Sequence, residues 1–326
     1  MHFAIVLAVI LPLSFILWVI SVCVHSLSSR GSMDVWSPIS PWRWLFAILL
    51  PILITRSAFQ KRSLNRSGAI IGLFVGFVMT LTNYCFFAAL LAFFLSGSKA
   101  TKFRQDKKKK LEADFKEGGQ RNWVQVLCNG GIATEIAIIH LIEHGTGEFP
   151  INFSRLYLSS WQAMAVLGAL ACSCGDTWAS EIGNVVDFGQ PRLITSFSTV
   201  PKGTNGGVTL VGTLASALGG ATVGLAYYMA LVLMLSESQL YNCPPQWPIV
   251  LVGAAAGLIG SAIDSILGAM FQYSGYCKTK QCIVEYPGDD VEYISGSPIF
   301  DNHSINLLSG LITAKAKANH DTFNLR

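Results

Sequence analysis

Charge is what this sequence has least of: 13% of its 326 residues are Asp, Glu, Lys or Arg, against 52% apolar. A soluble chain of this length carries about a quarter charged residues to hold its surface in water, so a cytosolic enzyme is excluded. A disordered scaffold is excluded too, because it needs few apolar residues and high net charge. So is a nucleic-acid binder, whose basic face would be spread over a fold. Cysteine is modest at eight residues, most of them in or beside apolar runs, so no disulfide framework is expected. Cys277 and Cys282 have no second pair at zinc-ligand spacing. Long apolar runs are what the chain does have, with a mean hydropathy of +0.48. We read an all-α, polytopic integral membrane protein whose residues 1–326 form a single membrane domain in contact with the lipid bilayer.

Phe3 to Val24 is an uncharged run of about 22 residues, long enough to cross roughly 30 Å of hydrocarbon. It lacks a basic leader and a small-residue cleavage pattern, so it reads as a retained helix. Further apolar runs follow at 42–55, 68–96, 122–142, 156–180, 206–235 and 247–273. More than half of the charged residues fall in 56–66, 98–121 and 278–303. The first of these carries Arg56, Lys61, Arg62 and Arg66 without an acid, and the second has nine basic residues against four acidic ones. The positive-inside rule puts both on the cytosolic side, which requires 68–96 to be a hairpin of two short helices turning near Thr82 and Asn83. Eight spans result. The amino terminus and loops 56–66, 98–121, 184–205 and 278–303 are then cytosolic, and the Asn152 sequon faces the other side.

Ionisable groups inside apolar spans cost several kcal/mol by insertion scales, which makes each a functional candidate. Glu135, Asp176, Glu181 and Asp264 are the four. On a helix Asp176, Ser180 and Gly183 share one face and Thr177 and Glu181 the next, so two carboxylates and two hydroxyls gather on adjoining stripes. Hard oxygen donors of this kind suit Mg²⁺; a polar helix end at the membrane surface is the plainer alternative. Asp264 lies on a small-residue face with Gly257, Ser261 and Gly268, which lets another backbone approach closely and holds the acid away from lipid. Glu135 has no comparable polar setting and reads as structural.

Pro201 to Gly207 forms a loop leading into the next span. Gly206 and Gly207, with Thr204 and Asn205 as candidate caps, can present backbone N–H groups to an anion, and Lys202 supplies charge. It is not a Walker A sequence, because the lysine precedes the glycines; a capped turn is the alternative. Lys99, Lys102, Asn129, Asp176, Glu181, Lys202, Asn205 and Asp264 all fall near the cytosolic ends of spans, and of these only Lys99 and Lys102 are among the loop charges that set the orientation. Together they describe a site open to the cytosol, able to take a nucleotide from above and a lipid from the side.

At these motifs the sequence resembles the transmembrane protein 19 family, known also as domain-of-unknown-function family 92. The matching runs are Gly97 to Lys102, Asn129 to Gly131, Cys174 to Gly183, Lys202 to Gly207 with Gly212 and Thr213, Gly260 to Ala269, and Asp301 to Asn306. They span a core region of about 65–310. The family includes a plant chloroplast phytyl-phosphate kinase, so the resemblance implies phosphoryl transfer from a nucleoside triphosphate, CTP or ATP, to an isoprenyl monophosphate. Phosphorylating a phosphate monoester needs no general base, only metal, cationic clamps and alignment. On that reading Asp176, Glu181 and Asp264 hold Mg²⁺. Lys202, Thr204, Gly206 and Gly207 bind nucleotide phosphates, Lys99 and Lys102 the acceptor phosphate, and Asn129 and Asn205 orient them. Rival readings are a secondary transporter with acidic coupling-ion sites and a non-catalytic membrane protein. After Asn306 the family pattern leads to an expected further apolar helix, yet 311–326 reads as an atypical tail unable to span. With no Ser- and Arg-rich transit segment before the first span, the expected location is an internal membrane such as the endoplasmic reticulum.

Overall fold

The computed structural model describes residues 3–28, 38–103, 119–183, 185–186 and 189–315. In chain order the helices are α1 (Phe3–Ser28), α2 (Pro41–Gln60), α3 (Arg66–Thr82), α4 (Tyr84–Lys102), α5 (Trp123–His144), α6 (Tyr157–Gly183), α7 (Leu210–Met234), α8 (Glu237–Tyr241), α9 (Pro248–Phe271) and α10 (Asn302–Lys315). Seven of them, α1, α2, α4, α5, α6, α7 and α9, are long and apolar enough to cross a membrane, and α3 is an apolar helix of 17 residues. The hairpin of α3 and α4 turns on one buried residue. Asn83 closes α3 by donating its N–H to Met79 O at 3.0 Å, and opens α4 by accepting from Cys85 N at 2.7 Å. An asparagine side chain mimics a turn of backbone in this way, which is why two helices can share one residue between them.

One end of the bundle carries the basic loops. There the carboxyl end of α2 is tied to the start of α5 by Arg121 N to Ser63 O and Asn65 N to Arg121 O, both at 3.1 Å. At the opposite end, Arg43 donates both of its Nη2 contacts to the Glu148 carboxylate at 2.9 Å and a third bond, from Nη1, to Thr82 O at 3.2 Å. Glu148 also accepts from Tyr84 N at 2.9 Å, and the guanidinium lies 4.2 Å over the Tyr84 ring. This knot joins α2, the α3–α4 turn and the segment after α5. Removing one partner strands the other charge away from water. Arg43→Ala is therefore expected to destabilise the protein by about 3 kcal/mol, and the Arg43→Ala/Glu148→Ala double variant by less; thermal unfolding in detergent measures both.

The core is built around α6. From Ser159 to Gly175 every residue except Trp161 is buried, with alanine, glycine and serine recurring along the run. A helix apolar and small on all sides can be surrounded, and α4, α5, α7, α9 and α10 all pack on it. The closest approach is a three-helix crossing. A Cβ on Gly220 of α7 would lie 2.2 Å from Gly253 O of α9, and one on Gly175 of α6 would lie 2.6 Å from Gly257 O of α9. Only hydrogen at these positions lets the three backbones meet.

Two details depart from the sequence expectation. The 278–303 segment is not a plain loop, because β3 (Ser274–Cys277), β4 (Cys282–Val284) and β5 (Val291–Ser295) form an antiparallel sheet in the order β4-β3-β5. Furthermore, 311–315 is no tail: it continues α10, whose Ile305, Ser309 and Ala314 are buried against the bundle. The described part of α10 is 14 residues, about 21 Å long. Residues 316–326 lie outside the described residues. The sequon residue Asn152 is itself buried, its side chain accepting from Ser154 N and Arg155 N in the turn that leads into α6.

Candidate functional site

At the basic end, the last turns of α6 and α9 and the first turns of α7 and α10 enclose a polar cavity of about 370 Å³. Asp176 enters it from α6 with Ser180 and Gly183, the stripe expected from helical spacing. Asp264 enters from α9 with Ser261. The glycine crossing is what brings the acids together, since Gly175 precedes Asp176 and Gly257 lies two turns before Asp264. The Ser261 hydroxyl rests against the Asp176 carboxylate, and the two carboxylates are near enough to interact. Asp264 is 8% exposed. Its Oδ2 accepts from Ser309 Oγ at 3.0 Å and from the Asn306 side-chain amide at 3.2 Å, both on α10. The carboxyl-terminal helix thus orients one of the two acids.

The glycine loop is built differently from the expectation. Thr204 N donates to Pro201 O at 3.3 Å and Gly207 N to Thr204 O at 3.0 Å, which makes two successive turns with Gly203 and Gly206 at φ of +90° and +78°. Glycine alone takes that backbone without strain. Gly207 and Val208 then form strand β2, antiparallel to β1 (Arg192–Leu193). Asn205 is spent on bracing, its N–H to Ser274 Oγ at 3.1 Å and its amide to Tyr273 O at 3.4 Å. The helix cap is Thr209, whose Oγ1 accepts from Gly212 N at 3.0 Å, not Thr204 or Asn205. Of the two glycine N–H groups expected to cradle an anion, that of Gly207 is therefore taken by Thr204 O. The first turn of α7 takes over that position: Thr209, Gly212 and Thr213 line the cavity and bring the positive end of a 25-residue helix to it.

Thr204, Asn205, Gly206, Gly207, Asp176 and Asp264 all border this cavity, but Glu181, Lys202, Lys99, Lys102 and Asn129 do not. Glu181 lies on the next stripe of α6, outside the cavity lining, and interacts with both Arg121 and Asp176. Lys99 is exposed. Lys102 Nζ donates to Lys61 O at 2.7 Å and Ser63 Oγ at 3.3 Å, latching α4 to the end of α2. Asn129 bonds its own helix at Gln125 O and accepts on its carbonyl from Ser173 Oγ. Glu135 is exposed on α5. Among the described residues no three His, Cys, Asp or Glu side chains converge on one point, so the expected three-acid set reduces to Asp176 and Asp264. Two carboxylates with neighbouring hydroxyls still fit Mg²⁺, which uses one or two carboxylates and fills its octahedron with water and phosphate oxygens.

Two further residues carry no motif that marks them in the sequence. Gln272 lines the cavity, is 4% exposed, and its Nε2 has no partner among the described residues. Arg121 has the composition of a loop charge, yet its Nη1 donates to Ser98 Oγ at 3.0 Å at the inner end of the loop. Burial lowers its pKa from the ordinary arginine value, and the Glu181 carboxylate raises it in part.

Residues 49–314 match the family described as integral membrane protein DUF92. The chain belongs to that family. Protein PGR of Arabidopsis thaliana is 41% identical over 273 residues, covering 84% of this chain and 94% of the relative. An uncharacterized membrane protein of Methanocaldococcus jannaschii, MJ0933, is 31% identical, covering 71% of this chain and 84% of its own length. Protein VTE6, chloroplastic, of Arabidopsis thaliana is 27% identical, covering 71% of this chain and 63% of its own. No solved structure matches. DUF92 membership makes the chain an integral, multi-pass membrane protein. None of these names points to the endoplasmic reticulum.

Proposed function

We propose that this DUF92 protein transfers a phosphoryl group from a nucleoside triphosphate, CTP or ATP, to an isoprenyl monophosphate, giving the diphosphate. The observation that carries the reading is the cavity itself. Two carboxylates and the start of α7 face one polar space at a helix end, and no Lys or Arg is among the described residues lining it. Such a space attracts a cation through its acids and phosphates through the helix N-terminus, which is the composition of a metal–nucleotide complex. Bound Mg²⁺ would supply the charge that neutralises the phosphates.

Each side chain then has a task. Asp176 and Asp264 hold the metal, Ser309 and Asn306 keep Asp264 in place, and the α7 amides with Thr209 and Thr213 bind donor phosphates. Gln272 is free to donate to a donor oxygen. The acceptor is already an anionic nucleophile, so no histidine is required. Lys99 and Lys202, at the same end, add positive potential at the rim. The positive-inside rule places this end in the cytosol, where nucleotides are found.

Purified protein incubated with Mg²⁺, γ-labelled CTP or ATP and a panel of isoprenyl monophosphates is expected to yield labelled diphosphate with at least one pair. Failure with every pair, from folded protein, would contradict the proposal. Metal-coupled uptake into proteoliposomes would favour the transporter reading.

A further inference from the structure

A second recess is lined by none of the residues that line the acid cavity. It runs between α2, α3, α4 and α5, and its walls are almost wholly apolar: Pro51, Val75, Phe87, Leu90, Phe94 and Val126 are among them. Its polar groups are few, chiefly Arg121, Gln125 and Asn129. These sit in the first turns of α5 or just before them, so they mark the basic end of the recess. Arg121 is held there from several sides. Its backbone bonds Ser63 and Asn65, its Nη1 bonds Ser98, and its guanidinium lies 5.9 Å from the Phe94 ring centroid. Among the described residues no carboxylate comes within salt-bridge distance of it. A Cβ on Gly97 would meet both Arg121 Nη2, at 3.3 Å, and Thr177 Cγ2, at 3.5 Å, so the guanidinium reaches the α6 stripe next to that of Asp176.

A cation fixed at the top of an apolar recess between membrane-crossing helices is complementary to one kind of molecule, a single-chain amphiphile with an anionic head. We infer that this recess holds the first isoprene units of an isoprenyl monophosphate and that Arg121 binds its phosphate. The remainder of the chain runs out between α2 and α4 into the bilayer. The inference rests on the proposed kinase reading for the identity of the ligand and deepens it, moving the acceptor phosphate from Lys99 and Lys102 to Arg121. A rigid guanidinium fork suits a phosphate better than the flexible, already engaged Lys102. A side chain at Gly97 would touch the guanidinium and require it to shift by a few tenths of an ångström.

The test is a binding measurement, independent of turnover. Purified protein in nanodiscs of phosphatidylcholine is titrated with tritiated geranylgeranyl monophosphate and, separately, with geranylgeraniol. Losing a charge-assisted pair costs about 1.5–3 kcal/mol, so Arg121→Gln is expected to weaken monophosphate binding roughly 10- to 100-fold and to leave binding of the alcohol unchanged. Arg121→Lys is expected to recover part of the loss, and Leu90→Trp, which fills the recess, to weaken both ligands. Equal binding of the monophosphate by wild type and Arg121→Gln overturns the inference, as does displacement by phosphatidic acid at the same concentration, which would make this a general anionic-lipid site. Headgroup-dependent binding without any turnover would leave the recess assigned and the kinase reading rejected. Turnover with an unchanged acceptor KM in Arg121→Gln would do the reverse.

Discussion

Asp176→Asn is expected to lower phosphoryl transfer by at least about a hundredfold, the scale seen when one preorganised electrostatic partner of the reacting groups is lost, while the protein keeps its unfolding temperature. Asparagine has the shape of aspartate and can still meet Ser261, which rests against Asp176. What it lacks is the negative charge that would hold a divalent cation in the cavity. Asp176 is half-buried, and no described residue offers it a cation, so neutralising it does not strand a partner. Asp264→Asn behaves differently. Both of its α10 partners donate to Oδ2, so an amide there must turn its nitrogen elsewhere, and stability is expected to fall along with activity. Equal rates for wild type and Asp176→Asn would remove Asp176 from the chemistry.

Gly257→Leu is expected to be the most destabilising single change, on the order of 4 kcal/mol or more, because overpacking here presses on backbone that cannot rotate away. A Cβ at Gly257 would lie 2.5 Å from Ser216 O and 2.8 Å from Gly220 Cα. The substitution separates α7 from α9 and, through Gly175, α9 from α6. Asp176 and Asp264 then move apart, so activity is lost with stability. Gly131 is the control. A Cβ there would meet nothing within 4 Å, and Gly131→Ala is expected to leave both quantities unchanged. A folded, active Gly257→Leu protein would mean that the crossing is not what assembles the site.

Local pattern carries much of this into the sequence. Asn83 is legible as a turn because the loop charges require one there. The pairing of Asp176 with Ser180 and Gly183 follows from 3.6-residue periodicity, and the small face around Asp264 from the same rule. Periodicity does not say which neighbour a stripe meets. That is why Glu181, only five positions from Asp176, groups with it in sequence, although it does not line the cavity and its face also meets Arg121. Backbone accounting is equally invisible: whether the Gly206 and Gly207 amides are free depends on Thr204 and on the β1–β2 pairing. Arg121 resembles its basic loop neighbours by composition, and only its place at the head of an apolar recess sets it apart. The sheet of β3, β4 and β5 leaves little trace in the sequence because its strands are only three to five residues long.

If Asp176 and Asp264 form one metal–nucleotide site, Mn²⁺ binding followed by electron paramagnetic resonance detects it without relying on turnover. In the presence of a non-hydrolysable nucleoside triphosphate analogue, wild type is expected to bind about one Mn²⁺ per chain at the cavity, as Mg²⁺-type sites share carboxylate and phosphate ligands. Asp176→Asn and Asp264→Asn should each lose that signal, whereas Glu181→Gln should keep it. Retention of full Mn²⁺ binding in both aspartate variants would mean that these two carboxylates do not hold the metal.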